Sequence, residues 1–192
     1  DLQTQYEFIK NKVDSSVLEV FQKGTFINGP SVSQFQSNLE SYLNVKHVIP
    51  CANGTDALQI ALMSLDLKPG DEIITSDFSF VACVEVIALL KLNPVLVDVD
   101  LETFNIDCNK VIKAITPNTK AIIPVHLFGQ VANMEEIMKL AKVNNLFVIE
   151  DNAQGMGSVF EFSNNNKIKI IHDRKNCERS TRMERTVNTR TV

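Results

Sequence analysis

The chain has 192 residues, of which 44% are hydrophobic and 22% are charged, and its formal net charge is −4. These values are typical of one globular domain, and they exclude the collagen-like, disordered and disulfide-scaffold classes of protein. The negative charge also argues against nucleic acid and anionic membranes as partners, because binding to such extended arrays of phosphate groups requires clustered lysine and arginine.

The first residues are polar, so they predict no secretory signal. Apolar residues at helical spacing then predict two helices in an N-terminal arm, over residues 5–22 and 32–43. The loop from Gly24 to Pro30 between them is typical of an exposed crossing segment. No apolar run in the sequence is long enough to cross a bilayer.

From about residue 47, short apolar runs alternate with helical patterns. The predicted strands are His47–Pro50, Glu72–Thr75, Pro94–Val99, Lys120–Val125 and Leu146–Glu150, and the predicted helices are Thr55–Leu65, Phe80–Leu92, Asn109–Ile115 and Met134–Val143. Asp107 and Asn133 are predicted to cap the last two helices. Strands spaced by helices predict an α/β fold, with a mostly parallel sheet covered on both faces.

The composition changes after residue 162. All five arginines lie in residues 163–192, where apolar residues are few and show no helical or strand period. We therefore expect a folded domain over residues 1–162, followed by a disordered tail foreign to that domain.

The four cysteines are Cys51, Cys83, Cys108 and Cys177. Their spacing matches neither a Cys-x-x-Cys motif nor a metal site, so we expect no metal ion and free thiols in a reducing cytoplasm.

In an open parallel sheet, ligands bind at the carboxyl ends of the strands. The loop Ala52–Leu58 follows a predicted strand and opens a helix, so its free N–H groups are suited to a phosphate. The alternative is an ordinary turn capped by Asn53 or Thr55.

Two further loops follow predicted strands. In Ser76–Ala82, an aromatic residue at the helix start could stack on a planar ring or pack into the core. In Val148–Gln154, Asp151 could hold a protonated ring nitrogen and Gln154 a ring oxygen. The alternative is a helix cap by Asp151 or Asn152. His126 could line the same cleft or be a buried histidine with its hydrogen bonds satisfied.

In this order, the segments resemble the DegT/DnrJ/EryC1/StrS family of pyridoxal 5′-phosphate (PLP) aminotransferases, which act on nucleotide-linked sugars. The resemblance spans Asp1 to about Phe162. It depends on six segments: Phe26–Pro30, Asn53–Leu58, Lys68–Ile74, Phe78–Ala82, Pro124–Gln130 and Ile149–Gln154.

The resemblance implies an incomplete large domain of the aspartate-aminotransferase type and a homodimer with shared active sites. It also implies transfer of an amino group from glutamate to a keto-deoxysugar on a nucleotide, for amino-sugar and polysaccharide biosynthesis. The implied cofactor-binding residues are Gly54, Thr55 and Asp56 for the PLP phosphate, Phe80 for ring stacking, Asp151 for the ring nitrogen and Gln154 for the ring hydroxyl.

The family's Ser-x-Lys motif, whose lysine forms the Schiff base with PLP, has no counterpart in these 192 residues. We therefore assign no catalytic residue and expect no transaminase activity from this chain alone. A second hypothesis is a non-catalytic α/β module that holds PLP or a nucleotide sugar, or that pairs with an intact subunit. A dinucleotide-binding domain is disfavoured, because Asn53–Asp56 lacks the Gly-x-Gly-x-x-Gly spacing.

Overall fold

The computed structural model describes residues 1–163, 167–169 and 186–189. Its residues form two compact units. The first unit comprises Asp1–Tyr42 and Lys46–Pro50, and the second comprises Leu43–Val45 and the chain from Cys51 onward.

The first unit is helical. Helix α1 (Leu2–Lys23) begins at Asp1, whose carboxylate accepts a hydrogen bond from the Gln3 N–H, and ends at Gly24 in the left-handed conformation (φ 64°). Helix α2 (Pro30–Leu43) starts at a proline, the residue that fits the first helical turn best. Both helices predicted for the N-terminal arm are confirmed.

The loop between α1 and α2 is turned tightly at Gly29. A Cβ atom at Gly29 would lie 2.5 Å from the carbonyl oxygen of Thr25, so only glycine fits this close approach. Phe26 and Ile27 are exposed, which confirms the predicted exposed loop.

The second unit is built on a five-stranded parallel sheet in the order β2-β1-β3-β4-β7, beside a separate antiparallel pair, β5 and β6. The strands are β1 (Glu72–Ser76), β2 (Asn93–Val97), β3 (Thr119–Ile123), β4 (Phe147–Asp151), β5 (Val159–Glu161), β6 (Lys167–Lys169) and β7 (Thr186–Thr189). Four of the five predicted strands are confirmed as β1 to β4.

Helices cover both faces of this sheet, as predicted for an α/β fold. They are α3 (Gly54–Met63), α4 (Ala82–Leu89), α5 (Cys108–Ala114) and α6 (Met134–Asn144). Apolar residues of α3 and α4 form one buried cluster with one face of the sheet, and residues of α5 and α6 form a second cluster with the other face. The predicted caps Asp107 and Asn133 are confirmed, since each accepts a backbone N–H of its helix.

The predicted strand His47–Pro50 is wrong, because these residues are assigned to no strand. The Val48 N–H donates to the Glu40 carboxylate (3.0 Å) rather than to a neighbouring strand, and Ile49 is exposed. An apolar run becomes a strand only where a neighbouring strand can accept its backbone hydrogen bonds.

Most of the predicted tail, residues 163–192, lies outside the described residues. Two short segments of the tail form strands, β6 and β7. In these segments the structure differs from the expected disorder. Strand β7 runs parallel to β4, where it occupies backbone groups that a sheet edge otherwise leaves unpaired. The boundary at residue 162 stays a prediction.

Among the described residues, no helix is both long enough and apolar enough to span a lipid bilayer.

Candidate functional site

Strand β4 ends in two acidic residues that face opposite layers of the fold. Successive side chains of a strand point to opposite faces, so Asp151 shares a face with Ile149, and Glu150 shares a face with Val148. Ile149 belongs to the cluster of α3 and α4, and Val148 to that of α5 and α6. Asp151 therefore faces the layer that contains the start of α3.

The Asp151 carboxylate is held by one hydrogen bond on each oxygen. The Cys83 thiol lies 3.2 Å from Oδ2, and the Ala153 N–H donates to Oδ1 (3.1 Å). The backbone is fixed as well, because the Asp151 N–H donates to the Pro124 carbonyl (2.9 Å). A carboxylate has about four acceptor positions. The side chain can therefore accept a further hydrogen bond in the orientation it already has.

Cys83 is a buried thiol in the first turn of α4. Burial raises its pKa strongly, and the negative charge of Asp151 and its hydrogen bond raise the pKa further. The thiol is therefore protonated at neutral pH and acts as a hydrogen-bond donor. Its contact with Asp151 also brings the start of α4 to the end of β4.

His126 follows β3 and is fully buried. The Ala132 N–H donates to Nδ1 (3.2 Å), so Nε2 carries the ring proton and donates to the Glu150 carboxylate (3.1 Å). Of the two predicted roles, the structure has the buried histidine with its hydrogen bonds satisfied. The imidazole joins the ends of β3 and β4 on the face away from Asp151.

Gln154 is exposed, in the turn that follows β4. Its side-chain oxygen accepts the Phe128 N–H (2.6 Å), which identifies the oxygen end of the amide, because only oxygen can accept that bond. The Nε2 group is left as the donor of this side chain.

The start of α3 is capped by Asn53. Its side-chain oxygen accepts the Asp56 N–H (2.9 Å), and its amide donates to the Asp56 carboxylate (3.1 Å). The predicted cap is therefore present, and it occupies one of the three N–H groups predicted to face a phosphate. Gly54 and Thr55 supply the remaining two N–H groups. These groups have no hydrogen-bond partner within the helix, because the carbonyl groups four residues earlier lie outside it.

Phe80 lies two residues before α4 and is 67% exposed, so it does not pack into the core. Three further aromatic rings lie together on adjacent loops. Ring centroids are 5.8 Å apart for Phe78 and Phe104, and 6.4 Å apart for Phe104 and Phe128. This aromatic group was not predicted, since its members are distant in sequence.

The structure brings Asp151 together with the start of α4, and it packs α3 against both α4 and β4. Leu58, one turn into α3, belongs to the same buried cluster as Cys83 and Ile149. Sequence reasoning missed the roles of Cys83 and Glu150, although strand alternation already placed Glu150 on the face opposite Asp151. No group of three or more His, Cys, Asp or Glu residues suited to a metal ion occurs in the part of the chain that is described.

Comparison with known proteins gives one family and close structural relatives. The family model described as the DegT/DnrJ/EryC1/StrS aminotransferase family matches residues 7–168. The chain is 45% identical over 161 residues to a UDP-2-acetamido-2-deoxy-3-oxo-D-glucuronate aminotransferase of Pseudomonas aeruginosa, covering 84% of this chain and 45% of that protein.

Two solved structures are similar in fold. DesV of Streptomyces venezuelae, solved with an intermediate, gives a TM-score of 0.80 at 33% identity, over 84% of this chain and 43% of that chain. NtdA of Bacillus subtilis, solved with the bound cofactor PMP, gives a TM-score of 0.74 at 41% identity, over 77% of this chain and 34% of that chain. The chain thus spans less than half the length of these relatives.

Proposed function

Because the chain belongs to the DegT/DnrJ/EryC1/StrS aminotransferase family, we propose that it is part of a PLP-dependent sugar aminotransferase. The whole enzyme would transfer an amino group, with glutamate as donor, to a keto sugar carried on a nucleotide. The Pseudomonas aeruginosa relative, named for a UDP-linked 3-oxo sugar, supports this substrate class. The NtdA structure, which contains PMP, supports the cofactor.

One observation carries the proposal: a buried carboxylate at the carboxyl end of β4, fixed on both oxygens and still able to accept a hydrogen bond. Asp151 is 7% exposed and faces the layer of α3 and α4. A protonated pyridine nitrogen is a donor that complements such a carboxylate. PLP, when bound, supplies an electron sink that depends on this protonation.

The other residues fit the rest of the cofactor. The N–H groups of Gly54 and Thr55 at the start of α3 would bind the phosphate, with Asp56 orienting the turn through Asn53. The exposed ring of Phe80 would stack on the pyridine ring. The Nε2 group of Gln154 would donate to the ring hydroxyl.

We further propose a homodimer in the cytoplasm. The family assignment supports the homodimer. Three free thiols, those of Cys51, Cys83 and Cys108, support a reducing compartment.

A second candidate function is cofactor or nucleotide-sugar binding without chemistry. It is favoured by one observation, that the 192 residues contain no Ser-x-Lys motif. Borohydride reduction in the presence of PLP tests this second candidate, because a Schiff base trapped at a single lysine of the chain would contradict binding without chemistry.

The test of the proposed site is equilibrium binding of pyridoxamine 5′-phosphate (PMP), the amine form of the cofactor, to the 192-residue chain. PMP forms no Schiff base, so its affinity depends on the pocket alone. We expect saturable binding that Asp151→Asn weakens about tenfold or more, as for the loss of a charged hydrogen bond. Asp107→Asn is the matched control, since asparagine also caps helices well. Equal affinities for Asp151→Asn and the unsubstituted chain would contradict the site.

A further inference from the structure

The buried thiol of Cys83 contacts the carboxylate of Asp151 at the end of β4. We propose that Cys83 is a positioning residue whose S–H bond to Asp151 Oδ2 keeps that carboxylate aimed at the ring nitrogen of the cofactor. This inference rests on the proposed function and adds to it a residue that neither the motifs nor the family resemblance identified.

The geometry supports an orienting role. Cys83 has no exposed surface, and its Sγ atom lies 3.2 Å from Oδ2, within hydrogen-bond distance for sulfur. The other oxygen of Asp151 accepts the Ala153 N–H. With both bonds present the carboxylate plane is fixed by two elements, α4 and the turn after β4. With only the second bond, the carboxylate is free to rotate about its last torsion.

The thiol is suited to orient the carboxylate without neutralising it. Because burial and the neighbouring carboxylate raise the pKa of Cys83, the S–H proton stays on sulfur across the physiological range. A lysine or arginine at this position would instead form an ion pair with Asp151 and compete with the ring nitrogen.

The hydroxyl of Thr75 lies near the thiol and is already engaged. Thr75, buried on β1, donates its hydroxyl to the Ile123 carbonyl at 2.9 Å. Asp151 therefore depends on Cys83 for a side-chain donor among the contacts described at this carboxylate.

A second buried thiol provides a matched control. Cys108 lies at the start of α5, in the cluster on the opposite face of the sheet. Burial and then the carboxylate of Glu136 raise the pKa of this thiol. Replacing Cys108 removes a buried thiol beside an acid without affecting Asp151.

The experiment compares two ligands that differ only at the ring nitrogen: PMP and its 1-deaza analogue, which carries C–H at that position. The measured quantity is the ratio of their dissociation constants, because a general loss of structure weakens both ligands equally. We expect the unsubstituted chain to prefer PMP, and Cys83→Ala to reduce that preference about tenfold, the effect of one charged hydrogen bond. Cys83→Ser retains a donor and should keep most of the preference, and Cys108→Ala should keep all of it.

The outcomes separate this inference from the proposed function. If the unsubstituted chain does not prefer PMP, the proposed role of Asp151 itself fails. If Asp151→Asn abolishes the preference but Cys83→Ala leaves it intact, the cofactor site stands and the positioning role of Cys83 is wrong.

A second measurement covers the case in which Cys83→Ala does not fold. The infrared S–H stretching band of Cys83, assigned by its loss in Cys83→Ser, is recorded in the unsubstituted chain with each ligand. We expect PMP to shift the band, because Asp151 then shares its charge with the ring N–H, and the deaza analogue to leave it unchanged. A band that PMP does not shift would overturn the proposal.

Discussion

His126 and Glu150 form a buried pair in which His126 Nε2 lies 3.1 Å from the Glu150 carboxylate oxygen. Glu150 directly precedes Asp151 on β4. The two neighbouring acids at the end of β4 thus have different surroundings. Glu150 joins two strand ends on the face of α5 and α6, and Asp151 faces α3 and α4. The pair stabilises the strand end on which the candidate site is built.

We expect His126→Ala to lower the free energy of unfolding by about 3 kcal/mol, because it leaves the Glu150 carboxyl and the Ala132 N–H buried without the imidazole. His47→Ala is the control, since His47 is exposed and its loss should change stability by less than about 0.5 kcal/mol. Urea denaturation followed by circular dichroism measures both. Equal stabilities of the two variants would show that the pair contributes nothing.

The turn after β4 has no room for a side chain at Gly155. A Cβ atom there would lie 2.4 Å from the Asn152 side-chain oxygen and 2.9 Å from the His126 Cβ. We expect Gly155→Ala to cost about 1–3 kcal/mol and also to weaken PMP binding, because the turn that carries Gln154 must shift.

Gly24→Ala separates these two effects. A Cβ atom at Gly24 meets no atom within 4 Å, but its φ of 64° disfavours alanine, at a cost of about 1 kcal/mol. This variant should lose stability and keep its PMP affinity. Unchanged PMP affinity in Gly155→Ala would mean that the turn does not contribute to the site.

The elements that could be predicted from the sequence are those that depend on a local pattern of residues. Strands β1 to β4 were recognisable as short Val- and Ile-rich runs between helical segments, and the caps at Asp107 and Asn133 followed from residue type alone. The run at residues 47–50 has the same pattern but no strand, because its backbone hydrogen bonds go elsewhere.

The candidate site was only partly predictable. Asp151 and Gln154 were named from their place after a strand, but the donor to Asp151 depends on how α4 packs on the sheet. The loop before α3 likewise had two predicted roles, phosphate binding or an ordinary capped turn, and only the structure shows that the Asn53 cap occupies the Asp56 N–H. Contacts between distant segments are not encoded in any local spacing.

The two buried thiols should be unreactive in the folded chain. Burial and then the nearby charge of Glu136 raise the pKa of Cys108 to about 12, and burial and then Asp151 raise that of Cys83. In a Cys177→Ser background at about pH 8, we expect iodoacetamide to modify the exposed Cys51 alone until urea is added, as read by mass spectrometry. Native modification of Cys83 would contradict its burial.

The same pKa shifts predict a pH dependence of stability. An unfolded thiol loses its proton near pH 8.5, whereas the folded thiols keep theirs to higher pH. The contribution to stability is therefore full below about pH 8 and is lost as the pH rises above the unfolded value. Cys108→Ser should flatten the fall in the free energy of unfolding between neutral and alkaline pH. An unchanged slope would contradict the raised pKa.

The proposed phosphate site can be tested by removing one N–H group from α3. Gly54 is the first helical residue, and Asn53 before it is extended (φ −163°, ψ 177°), the conformation that proline requires in its predecessor. Gly54→Pro should therefore keep the helix and weaken pyridoxal 5′-phosphate binding about tenfold, with pyridoxal binding unchanged. Gly54→Ala, which retains the N–H, is the control. If both ligands weaken equally, the N–H does not bind the phosphate.

The final prediction concerns the amide of Gln154, whose oxygen already accepts the Phe128 N–H. Glutamate at this position can still accept that bond, but it has no N–H to donate to the ring hydroxyl of the cofactor. We expect Gln154→Glu to weaken PMP binding about tenfold and to leave the affinity for an analogue without the ring hydroxyl nearly unchanged.

Gln130→Glu adds the same charge at an exposed position and controls for that charge. If Gln154→Glu weakens both ligands to the same extent, repulsion from the new carboxylate explains the loss, and the ring hydroxyl has a different partner. If only PMP binding is weakened, the amide of Gln154 donates to the ring hydroxyl, as proposed.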